Sequence, residues 1–506
     1  MSQAQDECQQ FLSVADQFKL GLLMTEMQHP LTKDLSELSK NDIDAATALC
    51  NEVDIGALNK LKRFERALMP FIEDVQKTLN DGSRVFFVGC GATGRLSLCL
   101  ESWWRRMNPG NNQVRGILAG GDLALIHSLE KAEDYPEFGK RHLIEANIKP
   151  NDLVVGFTEG GETSYVIGAV EFASSFCESR PYILYCNEDP ILEMVAKRSA
   201  AFISNEDIIN ISLPIGPMTL SGSTRMQAST VLQLIGGLSL LGEKKLAYNC
   251  DRLINQLLNS ERAKSLTAFI TFESNLYNSG GHLTYCCSPD LGMTILTDTT
   301  ERAPTFGVCG LENRLEASSF SLANISIDNG ENPTESFKMI LGREAHPLEW
   351  EVFNNRAGKE RLRGFDLSEE NAKYREMKLD KHENVKIQRK KDHYEINAGE
   401  ESIVYKTPFN ADSLLDLIDY KMFLNTHSTL VMGRLGRFES NVMTWVRPNN
   451  YKLIDRTIRY ASMLLEEKKQ SFEYEEMAKC LFELKNDVSE KESVVMKLAE
   501  KLRGDD

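Results

Sequence analysis

Val85-Phe86-Phe87-Val88-Gly89-Cys90-Gly91-Ala92-Thr93-Gly94-Arg95 joins a short apolar run to a cluster of three glycines. An uninterrupted apolar run closed by glycine reads as a strand buried on both faces. The glycines let the backbone turn tightly and present several N–H groups. The helical run starting at Leu96 adds a helix N-terminus, whose dipole favours an anion. By spacing alone the segment fits a structural turn, a sugar-phosphate loop or a dinucleotide site. A dinucleotide site expects an acid after the second strand, and Ala119-Gly120-Gly121-Asp122 matches that poorly.

Working outward, similar apolar runs lie at Val114 to Leu118, Leu153 to Phe157 and Pro181 to Tyr185, with helical patterns between them, as from Tyr165 to Phe176. Strands alternating with helices predict an α/β fold with a doubly wound, flavodoxin-like parallel sheet that binds ligands at its carboxyl edge. Two further loops rich in small and hydroxyl residues, Thr158 to Ser164 and Ser221 to Arg225, precede helical runs. Their hydroxyls are donors for phosphate or sugar oxygens.

Residues 1–80 read as helices, with an N-cap in Asn41-Asp42-Ile43-Asp44 followed by Ala45, Ala46, Leu49 and Val53 at helical spacing. A second series of strands begins near Gly281, with Leu283 to Cys287 and shorter runs between Leu315 and Ile327. Lys386 to Tyr405 suggests a charged hairpin around Ala398-Gly399, and the charge of 355–400 predicts a solvated excursion at the periphery of the second domain. From Lys452 onward the pattern is helical and charged, a C-terminal helical cap. The expected division is 1–80, 81–255, 256–450 and 451–506.

At 506 residues the chain exceeds one core. A net charge of −16 argues against a nucleic-acid or anionic-membrane surface, while leaving room for a local cationic pocket. The polar, acidic start predicts no secretory signal, and the longest apolar stretch, Val231 to Leu241, is too short and Gly-rich to span a bilayer. Eleven scattered cysteines with no Cys-x-x-Cys pair predict reduced thiols in a cytoplasmic protein. Eight histidines without ligand spacing suggest no metal, and no cofactor is implied.

Val85 to Leu100, Ile117 to Asp122, His127 to Asp134, Val154 to Val170 and Ser221 to Met226 resemble, in order, the N-acetylmuramic acid 6-phosphate etherases. They are also similar to the glucokinase regulatory protein, of the same sugar isomerase (SIS) superfamily. The resemblance implies two tandem SIS domains. It also implies that Gly91, Ala92, Thr93, Gly94 and Arg95, then Gly160, Gly161 and Thr163, then Ser221, Ser223 and Thr224, hold a hexose phosphate.

Asp298-Thr-Thr-Glu-Arg-Ala-Pro-Thr-Phe-Gly307 looks like the etherase segment whose glutamate is catalytic, which makes Glu301 one functional acid. Glu133 matches the other. In the etherases the first of these acids stands eight residues after the loop arginine. Eight residues after Arg95 is Trp103, and eight before Glu301 is Met293, following Ser-Pro-Asp-Leu-Gly where a glycine loop would be. Each copy therefore lacks what the other keeps, which predicts one composite site and makes a monomer the expected state. Asn449-Asn-Tyr-Lys-Leu-Ile454 resembles the segment that brings a lysine to the regulatory protein's sugar-phosphate site, so Lys452 is the candidate cation.

The resemblance leaves two readings. A sugar-phosphate sensor, with a regulated protein partner to which no segment is assigned, is the leading one. A carbon–oxygen lyase acting on a phosphorylated amino sugar through Glu133 and Glu301 is the alternative. Gly160 stands for the etherase serine and Glu162 for its arginine, while Glu159 adds a further acid. Such carboxylates repel a phosphate dianion unless they point away or meet sugar.

Overall fold

The computed structural model describes residues 3–504 apart from 19, 130–131 and 317–318, so Glu130 and Lys131 of the quoted motif lie outside the described residues. The first sheet holds β1 (Val85–Gly89), β2 (Val114–Leu118), β3 (Leu153–Phe157), β4 (Tyr182–Tyr185) and β5 (Ile209–Ser212). They run parallel in the order β2-β1-β3-β4-β5, the flavodoxin-like winding expected. Every residue of β1, β3 and β4 is buried, as a strand covered by helices on both sides requires. β5 escapes sequence reading because Ile209-Asn210-Ile211-Ser212 alternates at half burial on the sheet edge.

The second sheet holds β6 (His282–Cys287), β7 (Ala323–Ile327), β8 (His382–Arg389), β9 (His393–Ala398) and β10 (Glu401–Lys406). Its order is β10-β9-β8-β6-β7, with β6 parallel to β7 and β8, and with β9 antiparallel to both β8 and β10. The sheet is therefore mixed, and the charged stretch is no peripheral excursion: β8 is its middle strand. The reason is one-sided burial. Val385, Ile387, Ile396, Ile403 and Tyr405 turn into the core, whereas alternate residues such as Lys386 and Val404 face outward. The expected hairpin survives as β9–β10, turning at Gly399, whose φ of +60° is left-handed.

N-terminal helices pack on both sheets. Asp42 caps the helix Ile43–Leu61 by accepting from Ala45 N at 3.0 Å. Ala46 and Cys50 of that helix join the second core, and Ala57, Leu58 and Leu61 the first. The tail forms three helices, Tyr451–Glu467, Tyr474–Leu484 and Val494–Arg503, and the N-terminal helix Gln3–Val14 packs against them. The apolar stretch from Val231 lies in the helix Gln227–Leu241, buried along nearly its whole length between the halves. Among the described residues no helix is long and apolar enough to cross a membrane.

Two glycines set the approach of the helices Pro136–Glu145 and Ser164–Phe176. A Cβ on Gly168 would stand 2.1 Å from Pro136 O, and one on Gly139 equally close to Tyr165 O. Backbone cannot swing aside as a side chain can. Gly168→Ala is therefore expected to cost about 1–3 kcal/mol, read as a lower thermal midpoint, and an unchanged midpoint would refute the close-packing argument. The approach matters for the site because Tyr165 N, at the start of the second helix, donates to Glu133 O at 3.0 Å.

Candidate functional site

The glycine loop forms where β1 meets the helix Gly91–Met107, which starts five residues earlier than the apolar pattern suggested. Gly91 takes a left-handed φ of +52°, and Gly94 lies so close to Gly89 O that a Cβ would stand 2.9 Å away. Thr93 does not offer its hydroxyl to a ligand: Oγ1 accepts from Cys90 N at 3.0 Å and donates to Cys90 O at 2.8 Å, capping the helix. Arg95 is 2% exposed and donates to Ala124 O and Ser128 Oγ, both at 2.8 Å. Both bonds come from Nη2, Nε donates to Leu125 O at 3.4 Å, and Nη1 pairs with Glu301, 206 residues away.

A cleft of about 1180 Å³ opens over this pair. Gly91, Ala92 and Arg95 line it from the first loop, Ser223 and Thr224 from the third, and Glu133 and Glu301 from the two halves of the chain. The Ser223 hydroxyl is buried without a hydrogen-bond partner, so it is free for a ligand oxygen. Ser221 is not, since its hydroxyl donates to Glu26 O at 2.7 Å. Cys90 Sγ lies 3.6 Å from Glu133 Oε2.

Among the described residues none of the second loop lines the cleft. Gly160 O accepts from Asn187 Nδ2, and Thr163 Oγ1 accepts from Thr158 Oγ1 at 3.1 Å. A Cβ on Gly161 would run into Leu192 at 2.4 Å. Glu162 is held at 2.6 Å by both Arg198 and Lys452. Burial opposes its charge, but Lys452 and then Arg198 overcome it and bring the carboxyl down to about 2. Lys452 is thereby occupied: burial opposes its charge too, yet Glu162 and Glu133 hold its ammonium well above the lysine range. This geometry answers the repulsion expected of Glu162, and it sets Lys452 behind the cleft wall. Asn449 and Asn450 of the same motif line the cleft instead. The segment borders the cleft, and the helix start at Tyr451 decides which of its residues face in.

Asp122 is likewise structural. Arg343 grips it at 2.5 Å and His346 N donates to it at 2.6 Å, which leaves no acid for a ribose. Trp103, where the first copy would carry its acid, is buried with its indole N–H on Asp412 O at 2.8 Å.

The first two of these loops lie within the part of the chain that matches a family model. Residues 67–174 match the family described as the glucokinase regulatory protein N-terminal SIS domain. The N-acetylmuramic acid 6-phosphate etherase of Francisella philomiragia subsp. philomiragia is 31% identical over 234 residues, covering 44% of this chain and 73% of its own. The chain belongs to the SIS-domain family of the N-acetylmuramic acid 6-phosphate etherases. Etherase 2 of Enterococcus faecalis is 29% identical over 236 residues, 45% of this chain and 73% of that protein. Among solved structures, tagatose-6-phosphate ketose/aldose isomerase from Escherichia coli aligns at TM-score 0.44 and 10% identity, over 81% of this chain and 97% of its own. The etherase match spans less than half of this SIS-family chain, yet the acid that reaches its glycine loop is Glu301, from the second half.

Proposed function

We propose that the protein binds a phosphorylated sugar in the cleft and cleaves its ether bond, as a carbon–oxygen lyase acting on N-acetylmuramic acid 6-phosphate or a related phosphorylated amino sugar. The observation that carries this reading is that Glu133 and Glu301 line one cleft beside the glycine loop. One carboxylate removes the proton next to the ether carbon and the other protonates the leaving oxygen. The N–H groups at the start of the helix Gly91–Met107, with Ser223 and Thr224, receive the phosphate. This work is assigned to the cytoplasm, by one chain whose second half supplies the acid.

The test is incubation of the full chain with N-acetylmuramic acid 6-phosphate while lactate is followed. Lactate release is expected. If calorimetry finds the compound bound but no lactate appears, the lyase reading falls and the sensor reading takes its place. One observation favours that second reading: Arg95 occupies the carboxylate of Glu301. A ligand that changes this pair would be sensed by both halves at once, and a protein partner would read the change.

A further inference from the structure

The cleft runs on beyond Glu301. At about 1180 Å³ it exceeds the roughly 300–1,000 Å³ of pockets that enclose a drug-sized ligand. Arg437, Trp445 and Val308 line it past the end of the helix Pro289–Phe306. Gly307 closes that helix with a left-handed φ of +61°, and a Cβ there would stand 2.9 Å from the Trp445 Cβ. A helix rises about 1.5 Å per residue, so Gly307 and the indole against it stand about 9 Å along the axis from Glu301.

One cation at this end has no acid to answer it. The Arg437 guanidinium is half-buried and lies over the Trp445 ring, 4.1 Å from its centre, and among the described residues no carboxylate pairs with it. Burial pulls it below the arginine range, with the Cys309 thiol pulling the other way. Neighbouring cations of the cleft are already spent. Arg447 Nη2 donates to Ser489 O at 2.7 Å and to Glu492 O at 2.9 Å, and Lys485 pairs with Glu7 at 3.0 Å. Glu490, an acid of the same wall, forms no ion pair with Arg437. A half-buried charge left unpaired is costly, so a native fold that keeps one points to an anion that meets it. A guanidinium lying over a ring uses its face and keeps its N–H edge, the fork that matches a carboxylate.

We propose that this end of the cleft is a second anion subsite, in which Arg437, braced by Trp445, receives a carboxylate carried by the bound phosphosugar. The inference rests on the phosphosugar reading and deepens it. With the phosphate at the glycine loop and the ring beside Glu133 and Glu301, an acidic substituent of the ring reaches toward Trp445. The preferred ligand therefore bears two separated anions, and a plain hexose phosphate fills only part of the cleft. Arg437 and Trp445 lie far outside residues 67–174, the part matched by the family model, so the two anions are met by different ends of the chain.

The experiment is calorimetric titration of the full chain, carrying Glu301→Gln so that no ligand is consumed. The two ligands are N-acetylmuramic acid 6-phosphate and N-acetylglucosamine 6-phosphate, which lacks the carboxylate. The first is expected to bind about tenfold or more tighter, the worth of a hydrogen bond to a charged group. Adding Arg437→Gln is expected to bring the two within about threefold by weakening only the first. Arg437→Lys, which keeps the charge without the fork, should fall between. Equal affinities before any change at Arg437 overturn the proposal, with no second variant needed. So does an Arg437→Gln loss that strikes both ligands alike, or a preference for the carboxylate that survives it. Binding of neither compound, by this chain or by wild type, overturns the phosphosugar reading itself and this proposal with it.

Discussion

Glu301→Gln is expected to slow lactate release from N-acetylmuramic acid 6-phosphate by about two to four orders of magnitude, the usual worth of a positioned acid–base group. Glutamine matches glutamate in size and its carbonyl still accepts from Arg95, so the buried guanidinium keeps a partner. What it cannot do is take up or give a proton. Glu301→Asp keeps that ability but withdraws the carboxyl by one methylene, and it is expected to fall between wild type and Gln. Sugar-phosphate affinity measured beside the rates separates chemistry from binding: Gln should change it only a few-fold. A Glu301→Gln protein that releases lactate at the wild-type rate would remove Glu301 from the reaction.

Asp298→Ala is expected to produce the largest loss of stability, about 3–5 kcal/mol, because it strips the carboxylate from buried Arg225 and leaves Arg302 with Glu273 alone. Asp298 receives Arg225 at 2.7 Å from the first half and Arg302 at 3.4 Å from its own helix, with Asn425 at 3.0 Å and Ser428 at 2.9 Å completing the cage. Burial favours the neutral acid, yet Arg225 and then Arg302 hold the carboxyl below the usual aspartate range. A carboxyl lowered by folding contributes stability above its unfolded value near 4, and that contribution drains away as pH falls through the lower, folded one. The urea midpoint of wild type should therefore fall on acidification below about pH 4, and that of Asp298→Ala should fall less over the same interval. An Asp298→Ala midpoint close to wild type at neutral pH would show that the two halves do not depend on this contact.

Asp298 and Glu301 belong to one recognisable motif, and the structure divides their work. The first joins the halves and the second faces the cleft, although both lie on the helix Pro289–Phe306. Three residues along a helix turn the side chain by most of one turn, so a motif can place an acid on a given face, while the packing against that face sets its role. The same holds at Lys452. The resemblance singled out the lysine, but Glu162 claims it, and Glu162 stands where the etherases have an arginine. An acid stands where the etherases carry a base, and no local pattern reveals which cation it meets.

The sequence by itself determined β1 to β4, β6, the glycine loop and the absence of an acid at Trp103. Buried parallel strands are unbroken apolar runs, and a strand-to-helix turn of glycines has few other uses. It also determined that the glycine loop and Glu301 lie in different halves of the chain. Only the tertiary structure decided that they meet. Arg95 and Glu301 are 206 residues apart, and their contact depends on the helices Gly91–Met107 and Pro289–Phe306 packing together. It likewise decided that β8 is central, that Thr93 and Ser221 spend their hydroxyls on backbone, and that Glu159 keeps a bare buried oxygen. Local spacing encodes which groups a segment carries. Burial and partners drawn from the rest of the chain determine what those groups are free to do.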